Sequence, residues 1–290
     1  MYYNIEIVGM RKNRDLKIVI TIIILAIISI IACVGVIIYN KTKSVKEVAN
    51  TNIIQENVLT NEEEKVDEKN IEEKKQFINN INNIYNGKEG KRVFLTFDDG
   101  PSKEVTPYIL DILDKYNVKA TFFVLGSKVK ENPDILKRAY DEGHYIANHG
   151  YSHKYKSIYK SADNVISEYN KTEEEIQKAL ENENYSSNLF RFPGGSHGGP
   201  YEKVKKDARK KLNEYGIAYL DWSSLSYDAE GANTKEKILS NIKSTINGWN
   251  NVVILMHDAS DKKITYESLE DVIKYLQKSG YSFKNIYDLI

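Results

Sequence analysis

The stretch FLTFDDGPS, residues 94–102, ends an apolar run on two adjacent aspartates that are followed directly by Gly-Pro. The apolar run predicts a buried β-strand. Asp-Gly-Pro is typical of a tight turn, because Asp and Gly tolerate unusual backbone angles and Pro presets the next one. The aspartate pair therefore has two interpretations, a turn or half of an active site, and the rest of the chain has to decide between them.

Residues 91–290 alternate between apolar, β-rich runs and helical stretches with an apolar stripe. One helical stretch covers 105–116, and two others are predicted to be capped by Thr234 and Thr265. Strand–helix alternation predicts a parallel α/β sheet. About seven strands in this length fit either an open doubly wound sheet or a barrel, and periodicity alone does not choose. The predicted strands are residues 92–97, 120–125, 144–148, 189–192, 217–222, 251–256 and 281–286.

Polar residues collect where five of these seven runs end. In parallel α/β folds the reactive groups lie at the carboxyl ends of the strands. This pattern therefore favours an active site over an isolated turn at the aspartate pair. The polar residues, in chain order, are Asp98 and Asp99, His149 and His153, Arg191, Asp228, and His257.

His149 and His153 are four residues apart, a spacing at which two imidazoles can bind one metal ion. A carboxylate from a neighbouring strand end would complete a three-ligand site with one position open to water. That layout is typical of a catalytic metal, and this set of ligands favours zinc, with cobalt or manganese as alternatives. The other interpretation of the pair is two surface histidines without a metal.

Five motifs of this chain resemble, in order, those of the polysaccharide deacetylases, the carbohydrate esterase family 4 enzymes with a NodB homology domain. The motifs are TFDDGP, HGYSH, RFPGG, a segment led by Trp222 that ends at Asp228, and LMH. The resemblance covers about residues 91–290. It implies a distorted (β/α) barrel and metal-dependent removal of N- or O-acetyl groups from a polysaccharide, with the amino sugars of peptidoglycan as the expected substrate.

The resemblance also implies a role for each matched residue. Asp98 resembles the general base, and His257 the general acid that protonates the leaving amine. Arg191 resembles the arginine that holds the catalytic aspartate, and Asp228 the residue that orients the acid, with Asp221 as the competing candidate. The implied metal ligands are Asp99, His149 and His153.

Three further residues are implied on the substrate side. The backbone N–H near Gly194 resembles an oxyanion donor, Leu255 resembles the lining of the acetyl-methyl pocket, and Trp222 leads the fourth motif. Ala229 follows Asp228 where the family commonly has Trp. One wall of the cleft is therefore expected to differ from that of the family.

The N-terminal part is predicted to anchor the chain. Residues 18–39 carry no charge and are long enough, at ~1.5 Å per residue, to cross a hydrocarbon core of ~30 Å. They predict a transmembrane helix between a cytoplasmic N-terminus at 1–17, where basic residues precede the helix, and a polar stalk at 40–90. The alternative is a lipoprotein anchored at Cys33, which follows Ile-Ile-Ala, but apolar residues continue after this cysteine.

The charge balance and the cysteine count narrow the set of possible partners and metal sites. The 41 basic and 41 acidic residues give zero formal net charge, which argues against nucleic acid as a partner. The single cysteine excludes an intrachain disulfide and a cysteine-based zinc site.

The expected protein is a single-pass, monomeric cell-membrane enzyme with an extracellular catalytic domain at 91–290. Its rivals are a carboxylate-based glycosidase, which would give the two histidines no role, and a non-catalytic glycan-binding module.

Overall fold

The computed structural model describes residues 3–86 and 90–290, with side chains at 17–44, 69–86 and 90–290. The chain forms two compact units, Met1–Lys69 and Asn70–Ile290. Most side chains of the predicted cytoplasmic segment, and most of those of the predicted stalk before residue 69, lie outside the described residues. The orientation and the stalk therefore stay predictions.

The first unit is formed by a long helix, α1 (Tyr3–Asn82), whose last residues belong to the second unit. Its segment Lys17–Ser44 is long and apolar enough to cross a membrane. Every side chain from 17 to 44, including Cys33, is exposed. The segment contains the predicted span at 18–39. By length and composition it fits either a membrane-spanning helix or an N-terminal signal sequence.

The second unit is built on a parallel sheet surrounded by helices. Among the described residues the sheet has eight strands, and seven of them follow the order β5-β4-β3-β2-β1-β7-β6, while β8 also pairs with β1. The edge strands β5 and β6 do not pair with each other along this path, so the barrel is open and distorted. The strands are β1 (Lys91–Asp98), β2 (Thr121–Val124), β3 (Tyr145–Asn148), β4 (Leu189–Phe190), β5 (Ala218–Tyr219), β6 (Ser224–Leu225), β7 (Asn251–His257) and β8 (Tyr281–Lys284).

The helices connect these strands in the order expected for β/α units. Two short 3₁₀ turns, Ile84–Asn86 and Ile286–Leu289, lie before β1 and after β8. The helices of the second unit are α2 (Thr106–Lys115), α3 (Gly126–Glu131), α4 (Pro133–Asp141), α5 (Tyr155–Ile158), α6 (Ala162–Leu180), α7 (Glu202–Glu214), α8 (Lys235–Thr245) and α9 (Lys263–Lys278).

Strand β1 is the centre of the sheet. It pairs with β7 from Arg92 to Asp98, with β8 near its start, and with β2 near its end. Its side chains alternate between the two faces, as strand geometry requires. Val93, Leu95 and Phe97 pack in one apolar cluster with the surrounding helices, whereas Phe94 packs in another with Phe123 and Ile84.

The predicted fold class is confirmed, since each of the seven predicted runs contains a strand. The run 217–222 forms only the two-residue β5, and β6 was missed because Ser-Leu carries no apolar run of its own. Thr234 caps α8 as predicted, accepting a hydrogen bond from the N–H of Lys237. The predicted cap at Thr265 is wrong, because α9 already begins at Lys263.

The second compact unit begins at Asn70, inside the predicted polar stalk at 40–90. Phe77, Ile81 and Ile84 are buried and pack in one cluster with Phe94 and Phe123 of the sheet. These apolar residues are spaced at the helical period. The asparagines between them, however, make the segment resemble a polar stalk in sequence. The end of α1 therefore belongs to the core of the barrel.

Candidate active site

The register of the sheet brings the ends of the first and last motifs together. Asp98 is the last residue of β1 and is the direct neighbour of His257, the last residue of β7. Asp99 leaves the strand with φ 78°, a left-handed conformation that ends the regular alternation. The carboxylate of Asp98 thereby reaches Arg191 and that of Asp99 reaches His153, while both lie 3.6 Å from His149 Nε2.

Asp99, His149 and His153 form a cluster suited to a metal ion. Their ligand atoms all lie within 4.8 Å of one another. Asp99 Oδ1 is 3.6 Å from His149 Nε2 and 3.5 Å from His153 Nε2. This buried oxygen has no hydrogen-bond partner among the described residues. A buried carboxylate oxygen without a donor is unfavourable unless a cation binds it, so these three residues fit a divalent ion.

The hydrogen bond made by the other ring nitrogen of His149 also fits the role of a metal ligand. His149 Nδ1–H donates a hydrogen bond of 2.8 Å to the carbonyl oxygen of Arg191, which leaves Nε2 directed at the cluster. Burial lowers the pKa of His149 to about 3, although the charge of Asp99 opposes this shift. The ring is therefore neutral at physiological pH, the form that binds metals.

Asp98 is held by a buried arginine. Its Oδ1 accepts a hydrogen bond of 2.8 Å from Nη1 of the fully buried Arg191. Arg191 also donates to Thr96 Oγ1 at 2.7 Å and to the carbonyl oxygen of Leu220 at 2.9 Å, and its guanidinium lies 3.9 Å from the ring centre of Phe123. Burial raises the pKa of Asp98, and the charge of Arg191 partly offsets the shift. The carboxylate is thus fixed in place and made more basic.

His257 is paired with Asp228. Its Nδ1–H donates to Asp228 Oδ1 at 2.7 Å, and its backbone N–H donates to Oδ2 at 2.8 Å. The hydroxyl of Thr265 also donates to Oδ2 at 2.7 Å. Burial lowers the pKa of His257, but the hydrogen bond and charge of Asp228 outweigh it and raise the pKa to about 9. The imidazole is therefore protonated at neutral pH.

The competing candidate, Asp221, lies elsewhere. Its carboxylate accepts hydrogen bonds from the backbone N–H and the hydroxyl of Ser196, at 2.9 and 2.6 Å. Its carbonyl oxygen accepts from Arg191 Nη2 at 3.2 Å. Of the two aspartates, the one in contact with His257 is Asp228.

The three predicted substrate-side residues lie around this centre with different degrees of exposure. Gly194 has φ 72°, a conformation that favours glycine, and a Cβ there would be 2.6 Å from the hydroxyl oxygen of Tyr155, which would have to move. Leu255 is buried on β7 and pairs with Thr96. Trp222 is partly buried, and its ring centre lies 5.7 Å from the guanidinium carbon of Arg191.

Residues 85–220 match the family model described as polysaccharide deacetylase. The chain is 33% identical over 209 residues to a peptidoglycan-N-acetylglucosamine deacetylase of Bacillus cereus, covering 70% of this chain and 72% of that protein. It is 33% identical over 200 residues to a peptidoglycan-N-acetylmuramic acid deacetylase of Bacillus subtilis, covering 69% and 72%. The solved structure of a Streptococcus mutans CE4 esterase superposes with a TM-score of 0.65 at 32% identity, covering 72% of this chain and 90% of that one.

The chain belongs to the polysaccharide deacetylase family. The family model spans the first three motifs, from Asp98 to Gly194, and ends before the last two. In this deacetylase, Asp228 and His257 join the site through the fold. His257 ends β7, which pairs with β1, and Asp228 follows β6, which pairs with β7.

Sequence reasoning missed a further buried carboxylate beside the site of this deacetylase, that of Asp258. It accepts a hydrogen bond of 2.6 Å from the hydroxyl of Thr106, and burial raises its pKa to about 7. A Cβ at Gly100 would lie 2.0 Å from Asp258 Oδ2, so the turn after the aspartate pair closes directly over this side chain. Its position next to His257, at a strand end, is the signal that could have identified it.

Proposed function

We propose that this chain is a metal-dependent deacetylase that hydrolyses the N-acetyl groups of amino sugars in peptidoglycan. The observation that carries the proposal is the pairing of Asp98 with His257 on neighbouring strand ends, beside the Asp99–His149–His153 cluster. A buried carboxylate and a protonated imidazole in one site are the base and acid that amide hydrolysis requires.

Asp99, His149 and His153 would hold the metal ion. Zinc is the proposed metal, with cobalt or manganese as alternatives, because two imidazoles and one carboxylate form a common catalytic zinc set. When bound, such an ion lowers the pKa of a water molecule and polarises the acetyl carbonyl. The buried, unpartnered Oδ1 of Asp99 supports this assignment.

Asp98 would take a proton from the attacking water as the water oxygen adds to the carbonyl carbon of the acetyl group. The bond from Arg191 keeps one carboxylate oxygen occupied and orients the other towards the cluster, where Oδ2 lies 3.6 Å from His149 Nε2. The backbone N–H at Gly194 would donate to the oxyanion that develops on the acetyl oxygen. Leu255 and Trp222 would line the side of the pocket that receives the substrate.

His257 would complete the reaction by donating its Nε2 proton to the sugar nitrogen as the carbon–nitrogen bond breaks. Its raised pKa keeps that proton available at neutral pH, and Asp228 stabilises the charged ring. The products are acetate and a free amino sugar. The water supplies the hydroxyl group of acetic acid, which ionises to acetate, and the proton that Asp98 took returns to His257 through solvent, so that both side chains are restored.

The relatives' names support peptidoglycan as the substrate, with N-acetylglucosamine in one case and N-acetylmuramic acid in the other. An O-acetylated sugar is the alternative target. We further propose a monomeric, single-pass cell-membrane protein with its catalytic unit outside, anchored by the helix at 18–39. A lipid anchor at Cys33 is the alternative mode of attachment.

The test is mass spectrometry of peptidoglycan, chitooligosaccharides and acetylxylan after incubation with the full chain in detergent. We expect deacetylated amino sugars from peptidoglycan, loss of activity with a chelator, and recovery with zinc. Release of acetate from acetylxylan alone would contradict the substrate. New reducing ends without acetate would indicate a glycosidase, and glycan binding without acetate would indicate a non-catalytic module.

A further inference from the structure

The loop from His149 to His153 has a backbone shape that it would not adopt by itself. Gly150 has φ 83° and His153 has φ 54°, so two of its five residues are left-handed. A non-glycine residue in this region is strained and persists only when its surroundings hold it there. The contacts that hold this loop therefore determine where the two imidazoles lie.

Two consecutive amide groups of the loop bond to one carboxylate, that of Glu168 on α6, while the N–H of Gly150 donates to the side chain of Asn148. Oε2 of Glu168 accepts hydrogen bonds from the backbone N–H groups of Tyr151 at 2.8 Å and Ser152 at 2.7 Å. Oε1 accepts from the hydroxyl of Ser152 at 2.9 Å. Glu168 is only 9% exposed, so little water competes for these bonds. Three donors from two consecutive residues thus converge on one buried side chain.

The opposite side of the loop is bonded to the start of α3. The N–H groups of Gly126 and Ser127 donate to the carbonyl oxygens of Gly150 and Tyr151, at 3.0 and 3.1 Å. The loop is therefore held through two carbonyl groups by α3 and through the N–H groups of Tyr151 and Ser152 by α6. Only the second contact depends on a single side chain.

We propose that Glu168 is a positioning residue for the two histidines of the metal site. Its carboxylate fixes Tyr151 and Ser152, which lie between the ligands, and so keeps both imidazoles directed at Asp99. A carboxylate is required because it accepts at both oxygens, whereas the amide of glutamine has a donor at one end. This inference rests on the proposed function, because it presumes that Asp99, His149 and His153 hold the ion.

The test compares Glu168→Gln with Glu174→Gln in the full chain in detergent. Glu174 is exposed on the same helix, so its variant makes the same chemical change without touching the loop. Zinc affinity is measured by competition with a chromophoric chelator, at a temperature where circular dichroism shows each variant to be folded. We expect zinc affinity to fall about 10–100-fold in Glu168→Gln, the usual effect of removing a partner that orients metal ligands, and to stay unchanged in Glu174→Gln.

A lower melting temperature with unchanged zinc affinity in Glu168→Gln would overturn the inference, because a merely structural residue changes stability alone. If that variant does not fold, Ser152→Ala removes only the hydroxyl donor and should still weaken zinc binding, though less. Unchanged affinity in Ser152→Ala would then count against the proposal. If the unmodified chain binds no divalent ion, the proposed metal site fails and the inference with it, whereas zinc binding that is insensitive to Glu168 refutes only the inference.

Discussion

At the scale of single residues, Asp98 and Asp99 share His149 as a neighbour, at 3.6 Å from each carboxylate, but differ in their other partners. Asp98 still belongs to β1 and bonds to the buried Arg191. Asp99 has turned out of the strand and faces His149 and His153. The proposed division between base and metal ligand therefore follows from one left-handed residue at the end of a strand.

Asp98→Asn and Asp99→Ala should consequently fail in different ways. Asp98→Asn keeps the shape and the ligand cluster but removes the base, so activity should fall about 10²–10⁴-fold while zinc stays bound. Asp99→Ala removes one of three protein ligands, so zinc and activity should be lost together. Zinc content and acetate release, measured on the same samples, separate the two. Loss of zinc from Asp98→Asn but not from Asp99→Ala would reverse the roles.

The pair of His257 and Asp228 should make the stability of the metal-free chain depend on pH. The folded pKa of His257, about 9, lies above its ordinary value of 6.5. The charged ring therefore stabilises the fold fully below about pH 6.5, and this contribution is lost as the pH rises through about 9. The free energy of unfolding by urea should fall between pH 7 and pH 9.5.

Asp228→Asn is the control for this dependence, since it removes the charge that raises the pKa of His257. Its stability will be lower throughout, but the decline between pH 7 and pH 9.5 should be much shallower than in the unmodified chain. An equally steep decline in both proteins would show that other groups cause it.

At the scale of elements, the end of α1 acts as part of the barrel. Ile81 is 1% exposed and packs with Phe77 and Ile84 against the sheet. Ile81→Ala should therefore destabilise the second unit by about 2–5 kcal/mol, the usual effect of emptying such a site. Asn79→Ala, on the exposed side of the same helix, should change stability little. Thermal unfolding of both variants measures the difference. Equal melting temperatures would show that the end of α1 does not stabilise the second unit.

Helix α9 shows how an element acquires a role beyond packing. Its first turn carries Thr265, whose hydroxyl bonds to Asp228 rather than capping the helix. The apolar face of α9 packs against the sheet through Leu269 and Val272. The helix thereby fixes the carboxylate that holds His257.

At the scale of the whole molecule, the proposed substrate and the proposed membrane anchor together predict an orientation. Peptidoglycan lies outside the membrane, so the catalytic unit should be external and residues 1–17 cytoplasmic. Protease added to intact, wall-stripped cells should remove the catalytic unit while leaving a cytoplasmic marker protein intact. Survival of the unit in intact cells, followed by its digestion after lysis, would show the opposite orientation.

The sequence by itself determined the features that depend on local pattern. Apolar runs such as 92–97 and 251–256 identified the long strands, because burial on both faces of a parallel sheet requires them. The spacing of His149 and His153, and the polar residues at the strand ends, identified the candidate site. The resemblance of five motifs identified the family, which the comparisons confirm.

Only the tertiary structure decided the contacts between residues far apart in the chain. The choice of Asp228 over Asp221 as the partner of His257 leaves no periodic trace in the sequence, and neither do the bonds from Thr265 to Asp228 and from the His149–His153 loop to Glu168. The same holds for β6, which is too short to form a pattern, and for the burial of Asp258. Each of these depends on strand register and on how the helices pack against the barrel. Register and packing are set by the sum of many long-range contacts, and no short stretch of the chain encodes them.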